Sequence, residues 1–497
     1  MHFYLLSLLA IVGAVLLTWL PKLASNPIGI LDIVPSIFQS AQEIFGKWGN
    51  ALGIFVFAFF LYAVLESRSV QALFAAKKNW LQKKGLLTVV LITVISSFLA
   101  SGLSWYDEFI HFYPLAIPLM LAMGFDTFGA LLCLYGGSSA GQAAKISNEA
   151  YSYVFGSHIN KNPGLEGKGI HFTGNDGIVF RVIAWLLLTT IVVLFNIWYC
   201  NKIFRRVQVE EQVTIKNSDP DDITRPKLTR VRKLILALFI FFVGISIAGQ
   251  FPKISEKWKH NGEISQKITS SYQAGIDGTG KEFHELGAIN EEETMKIAKM
   301  EENKKEKFWP AFGKWGDLQI YSWFIIGGIV ICLLSKQNIF DTLVISVQNT
   351  IPLILGYILM QTLLVIVQNS EIIGNLGSIL PSRPDANIKY LVLFGAFLFP
   401  FLINLFVPHT RYLFISTFAP LLYAFSKDIL LYGAITIIIG STIASTFSPF
   451  NTILQISLQE NKVTYREFLK KTWLLGLTMF LSSLLLVSVW IFSIKKG

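Results

Sequence analysis

The sequence predicts an all-α polytopic membrane protein, with about 12–13 apolar segments in two inverted repeats and with broken or re-entrant helices. Three observations carry this reading. Of 497 residues, 53% are hydrophobic and only 15% charged, with a mean hydropathy of +0.53, whereas soluble domains run near 25% charged. Thirteen apolar runs approach the roughly 20 helical residues that a hydrocarbon core about 30 Å thick requires. Finally, a block of small and hydroxyl residues recurs at matching places in the two halves of the chain.

The runs are 3–20, 51–65, 86–103, 110–125, 127–144, 178–200, 234–248, 320–334, 342–367, 390–407, 413–425, 429–447 and 473–494. The first has no basic residue before it and is longer than the apolar part of a signal peptide, so it reads as a retained helix. Runs 51–65, 110–125 and 413–425 are short for a crossing. They suit half-helices or re-entrant segments, which lipid tolerates only where protein or a wet cavity surrounds them.

Orientation follows from the basic loops. Arg68, Lys77, Lys78, Lys83 and Lys84 follow the second run, and Lys202, Arg205, Arg206, Arg225, Lys227, Arg230, Arg232 and Lys233 separate the sixth from the seventh. Lys and Arg beside spans mark the cytoplasmic side, and the four intervening runs allow both loops to be inside. The formal charge of +10 and pI near 9.2 therefore read as topology, with the bilayer as partner and no nucleic acid. The long hydrophilic stretch 251–317 then lies outside. Its Glu291, Glu292, Glu293, Lys296, Lys299, Glu301, Glu302, Lys304 and Lys305 suit a solvated helical insertion.

Repeats come next. Pro118, Leu119, Ala122 and Asp126 match Pro420, Leu421, Ala424 and Asp428 at identical spacing. Each set is followed by a block that opens Gly-Ser and ends in Asn: Gly137 to Asn148, and Gly440 to Asn451. Six runs form each half and the seventh is a linker, so the second half starts on the opposite face and the repeats are inverted. The expected division is 1–203 for the first repeat, 204–250 for a cytoplasmic loop and linker helix, 251–317 for the insertion and 318–497 for the second repeat. Inverted repeats with interrupted helices are secondary-transporter architecture, with substrate near the midplane.

The two blocks supply the first candidate site residues. Ser138, Ser139, Gln142 and Asn148, with Ser441, Thr442, Ser445, Thr446 and Asn451, carry neutral oxygens. Where such a run unwinds at membrane depth it frees backbone groups that hold an ion or a carboxylate, which suits Na⁺ or a zwitterionic substrate. The competing reading is a packing face, where small residues let helices approach. Asp107 and Glu108 form a carboxylate pair that binds a cation or takes up a proton in a cavity, or is a solvated cap at a helix end. Arg411 is either a partner for a substrate carboxylate or a snorkelling arginine. Arg181 reads as snorkelling, and Asp126 and Asp428 as helix N-caps.

The exclusions are clear. Cys133, Cys200 and Cys332 are scattered in or beside apolar runs, which indicates neither a disulfide framework nor a thiolate metal site. P-loop, zinc, Rossmann and nucleophile-elbow signatures are missing, so this chain alone is no ATP-driven pump.

The passage from Gly102 to Asp126, with Phe112-Tyr113-Pro114-Leu115 and Pro118-Leu119-Met120-Leu121-Ala122-Met123-Gly124-Phe125-Asp126, resembles the YfcC-like branch of the anaerobic C4-dicarboxylate carrier family, which includes arginine/ornithine antiporters. Gly177 to Arg181 with Trp198 to Ile203, and Phe406 to Thr410 with Ala419-Pro420, are similar to the family's neighbouring segments. The resemblance implies an electrochemically driven carrier of carboxylates or amino acids with hairpin-tip sites. Three motifs depart from the family: Asn148-Glu149 stands for Asn-Pro, Ser445 precedes Ser448-Pro449 where an Asn precedes Thr-Pro, and Pro408-His409-Thr410-Arg411 stands for Pro-Ser-Gly-Ser. Substrate and coupling ion are therefore not carried over.

The expected function is a secondary-active transporter or antiporter in the cell membrane, moving amino acids of the arginine/ornithine kind, or alternatively C4-dicarboxylates. Exchange, Na⁺ or H⁺ drives it, without a cofactor and without enzymatic activity. A homo-oligomer is left open. Two other classes are a polytopic membrane enzyme, which the scattered histidines do not favour, and a receptor acting through the insertion.

Overall fold

A computed structural model describes residues 2–20, 24–46, 49–162, 165, 169–214, 227–250, 317–372, 389–408 and 410–494. The proposed insertion, His409 and the terminal Lys495 and Lys496 thus lie outside the described residues, as does the Asn148 side chain.

Each of the thirteen apolar runs is helical. The described helices are α1 (His2–Thr18), α2 (Ile33–Gly46), α3 (Gly49–Glu66), α4 (Ser69–Lys83), α5 (Gly85–Gly102), α6 (Tyr113–Ala122), α7 (Thr127–Leu131), α8 (Gly137–Ala143), α9 (Asn148–Phe155), α10 (Ile178–Thr214), α11 (Arg230–Gln250), α12 (Asp317–Ser335), α13 (Ile339–Asn369), α14 (Lys389–Asn404), α15 (Arg411–Phe425), α16 (Lys427–Phe447), α17 (Thr452–Glu460) and α18 (Tyr465–Ile494). The described residues contain no strand, so the protein is an all-α polytopic membrane protein. In lipid a helix satisfies its own backbone, which is why apolar runs take that form. Six of these elements are long and apolar enough to cross a bilayer, or seven if Leu52–Glu66 and Ser69–Lys77, bent by 54°, form one span. Four shorter apolar helices accompany them, among them Glu108–Ala122.

Two compact units are present. Residues 237–327 make one, in which Trp323 packs on Phe242 with ring centroids 5.1 Å apart. The rest of the chain makes the other and holds every candidate site residue.

Matching pieces of the two halves pack in matching ways. Helix α5 lies on α8, and α14 lies on α16. The reason is the glycine that opens each block: a Cβ on Gly137 would fall on Ser96 Oγ and 2.7 Å from Thr93 O, and one on Gly440 would lie 2.9 Å from Phe397 O. These glycines bring backbone to backbone, the close approach expected of small residues in membranes. Polar side chains tie the first pair further. Ser96 Oγ donates to Cys133 O (2.8 Å) and Asn196 Nδ2 to Leu132 O (3.2 Å) and Thr93 Oγ1 (2.9 Å). Both carbonyls belong to the π-helical turn Leu132–Gly136 between α7 and α8.

Several expectations need correction. The Gly-Ser blocks do not unwind throughout: Gly137–Ala143 and the stretch to Phe447 are helical, and only the end of each block breaks, at 144–147 and 448–451. Nor are the carbonyls there left vacant. Ser101 Oγ donates to Ala144 O, Tyr135 Oη to Thr446 O, Tyr465 Oη to Phe447 O and Gln455 Nε2 to Pro449 O. At membrane depth an unpaired carbonyl is too costly to leave, so neighbouring side chains fill the gap. Asp126 does cap α7, accepting from Gly129 N (3.0 Å), but α16 is capped by Ser426, accepting from Ile429 N (3.2 Å), with Asp428 merely in its first turn. Arg181 does not snorkel; it is fully buried. Finally, the basic stretch after the second run is no loop but the helix α4.

Candidate functional site

The site assembles where α5 and α8 end and α15 begins. Two unwound segments, 103–107 and 144–147, are sewn together: Ile146 N and Ser147 N donate to Ser101 O at 3.1 and 3.0 Å, and Ile146 N also reaches Ser101 Oγ (3.0 Å). Ser104 takes the left-handed backbone conformation (φ 61°). That is uncommon for a residue with a Cβ and is retained where the surroundings enforce it. Out of this junction point Asp107, Glu108 and Lys145.

Asp107 occupies the N-cap position of the 3-10 turn Glu108–Phe112, yet its side chain caps nothing. The carboxylate instead lies near Tyr357, Lys145 and Arg411. A solvated cap is therefore the wrong description. Lys145 lies close to Glu108 as well, and its Nζ donates to Ser104 Oγ (3.3 Å). Arg411 enters from the second half at the start of α15. Its Nη1 donates to Thr442 Oγ1 (3.3 Å), its guanidinium lies 4.9 Å from the Tyr412 ring, and its Nε is buried without a hydrogen-bond partner. Two acids and two bases from different segments thus share one polar region. Among the described residues no ion pair within 4 Å joins Asp107 to Lys145 or Arg411.

The block residues divide by what their oxygens do. Ser138, Ser445 and Thr446 donate to carbonyls of their own helices, Tyr135 O, Thr442 O and Thr442 O respectively. Thr442 does the same toward Ile438 O while accepting from Arg411. Asn451 is an N-cap: its Oδ1 accepts from Ile453 N and Leu454 N, and its Nδ2 donates to Ser445 O (2.9 Å). By contrast Ser441 Oγ and Gln142 Oε1 are buried with no hydrogen-bond partner, and Ser139 Oγ, equally buried, has only the neighbouring Tyr106 and Tyr135 hydroxyls beside it. A buried polar atom without a partner is costly and rare, so these three are the block oxygens available to a ligand. The Tyr106 hydroxyl links the halves, lying beside Ser139 and Tyr135 and 3.5 Å from Asn451 Nδ2.

The family model described as "C4-dicarboxylate anaerobic carrier" matches residues 67–492. The chain belongs to this family. It is therefore a multi-pass membrane protein of a carrier family, with the apolar helices that a membrane requires. An uncharacterised protein of Haemophilus influenzae is 30% identical over 234 residues, 44% of this chain and 42% of that protein, so the match spans less than half of the relative. Among solved structures the chain is similar to the YdaH transporter of Alcanivorax borkumensis (15% identity, 99% and 98% of the two chains, TM-score 0.40) and to MtrF of Neisseria gonorrhoeae, of a class of antimetabolite efflux pumps (10% identity, 98% and 94%, TM-score 0.41).

Sequence reasoning about this carrier missed Lys145, Tyr357 and the role of Arg181. Lys145 follows the first block directly, so its position one residue past the break was the available signal. Tyr357 lies mid-helix in α13 and had none. A small gap lined by Leu131, Tyr135, Thr446, Phe468 and Met479 contains no charged group.

Proposed function

We propose that this carrier is a secondary-active exchanger of amino acids of the arginine/ornithine kind, binding the substrate carboxylate on Arg411 and its ammonium on Asp107 and Glu108. One observation carries the reading: Arg411 is partly buried against Thr442 with an unpartnered Nε, near Asp107 with no ion pair formed. A guanidinium held ready for a planar acceptor suits a carboxylate, which it takes through two parallel hydrogen bonds. Acids opposite it suit the cationic end of a zwitterion. Ser139, Gln142 and Ser441 supply neutral oxygens for the substrate or for a coupling Na⁺, and a carboxylate of the pair is the alternative carrier of a coupling H⁺. The two halves, 1–203 and 318–497, are inverted repeats that rock about this site, with 204–250 as the cytoplasmic connection and 251–317 as an outer insertion accessory to transport.

A second reading, C4-dicarboxylate transport, is favoured by the family description and by Lys145 standing near Arg411, two cations for two carboxylates. Uptake of labelled arginine and labelled succinate into proteoliposomes, with internal ornithine or fumarate and with Na⁺ or pH gradients imposed in turn, separates the readings. Saturable arginine uptake accelerated by internal ornithine supports the first, and succinate uptake alone supports the second. Movement of neither refutes both.

A further inference from the structure

We propose that Lys145 is a carboxylate-binding residue of the transport site, and that Arg181 is the positioning residue that presents it. This rests on the transporter reading above, and holds for an amino acid or a dicarboxylate, since both offer a carboxylate.

The argument begins with the backbone of 144–147. One side is held by Ser101, through its hydroxyl to Ala144 O (2.8 Å) and its carbonyl to Ile146 N and Ser147 N. The other side is held by Arg181, whose Nη1 donates to Lys145 O (3.5 Å) and Ser147 O (3.3 Å) while its Nη2 donates to Gly174 O. Arg181 is fully buried, with its guanidinium 4.0 Å over the Tyr151 ring. A buried cation needs compensation. Here it comes from carbonyls beyond the C-terminal, partially negative end of α8, and from the face of an aromatic ring. The two Nη groups are therefore committed to the backbone, while Nε is buried without a hydrogen-bond partner.

What this fixation leaves free is the Lys145 side chain. An ammonium has three donors, and the hydrogen bond shown for Nζ is the long one to Ser104 Oγ, a hydroxyl on a left-handed residue of the adjoining break. The chain is half-buried and lies near Arg411 and Tyr412 from the second half and Asp107 and Glu108 from the first. A carboxylate bound between Lys145 and Arg411 is gripped by both halves of the protein at once, as a substrate at a repeat interface must be. Neither Asp107 nor Glu108 removes the need for it: if the acids hold an ammonium, their charge is neutralised and the lysine is left for the carboxylate.

The test uses the full-length carrier in proteoliposomes, with labelled arginine and labelled succinate as tracers. Lys145→Cys is expected to raise KM for whichever tracer the wild type moves by about ten- to hundredfold, the loss of one hydrogen bond to a charged group, with Vmax affected less. The native Cys133, Cys200 and Cys332 are buried, so a methanethiosulfonate reagent reaches the introduced thiol selectively. Aminoethylation restores the positive charge and is expected to recover KM, whereas the sulfonatoethyl reagent does not. Arg181→Lys, which keeps the charge and loses the fork, is expected to raise KM as well. Combined with Lys145→Cys it adds little, because both changes act on one contact. An unchanged KM in Lys145→Cys, or equal recovery with both reagents, overturns the assignment while the transporter reading stands. A wild type that moves neither tracer overturns the two together.

Discussion

The Gly141→Ala substitution separates packing from ligand binding within the first block. A Cβ built on Gly141 falls on Ser97 O and comes within 2.9 Å of Ser97 C and 3.0 Å of Ser101 N. All three atoms are backbone of α5, which cannot rotate away as a side chain would. Ordinary contact starts near 3.4 Å, so α5 and α8 must part by about 1 Å over their contact. Overpacking of this kind costs about 1–3 kcal/mol, and parting the helices also loosens the Ser96 and Asn196 bonds to the π-helical turn. Gly395→Ala is the control. Nothing lies within 4 Å of its added methyl, and a glycine in mid-helix gains about 1 kcal/mol on becoming alanine. Thermal unfolding in detergent, followed by size-exclusion chromatography of the surviving monodisperse fraction, is expected to show a lower midpoint for Gly141→Ala and an equal or higher one for Gly395→Ala. Equal midpoints for the two variants would falsify the claim that the block glycines exist to bring α8 against α5.

Other outcomes follow from the same accounting. Ser139→Ala and Ser441→Ala remove buried hydroxyls that make no hydrogen bond to the backbone, so tracer uptake is expected to fall while the unfolding midpoint holds; loss of both together points to a structural role instead. Ser445→Ala removes only a bond to its own helix and is expected to transport at a rate close to wild type, measured in the same proteoliposomes. Asp107→Asn is expected to raise KM for arginine by about tenfold and to leave succinate KM unchanged or lower, and the reverse pattern would contradict the placing of an ammonium there. Asn451→Ala deprives Ile453 N, Leu454 N and Ser445 O of their partner, and is expected to cost about 1–2 kcal/mol of stability, read as a lower unfolding midpoint.

The helices were legible because a continuous apolar run has one good solution in lipid. Those not anticipated, such as α2, α4 and α9, carry polar residues at intervals and look like loops to a hydropathy count. The recurrence of Gly-Ser at Gly137 and Gly440 was readable as well, but its meaning was not. Whether a small residue makes room for a helix or for a ligand depends on what lies opposite, and for both glycines that is a neighbouring helix, its backbone included. Arg181 illustrates the same limit from the charged side. Four residues into an apolar span, a guanidinium can run outward to water or inward to carbonyls, and the choice is made by Ser147 and Gly174, 34 and 7 residues away in the chain.

The sequence by itself determined that this chain is an all-α membrane protein with few charges, because those properties depend on composition and local periodicity. Only the tertiary structure decided which charges meet. Asp107, Lys145, Tyr357 and Arg411 span some 300 residues of chain. Their common region exists because two helices stop short at neighbouring breaks, and because Ser101 and Arg181 satisfy the backbone that those breaks expose. The energy of an exposed backbone group in lipid drives that closure, and it is set by neighbours in space.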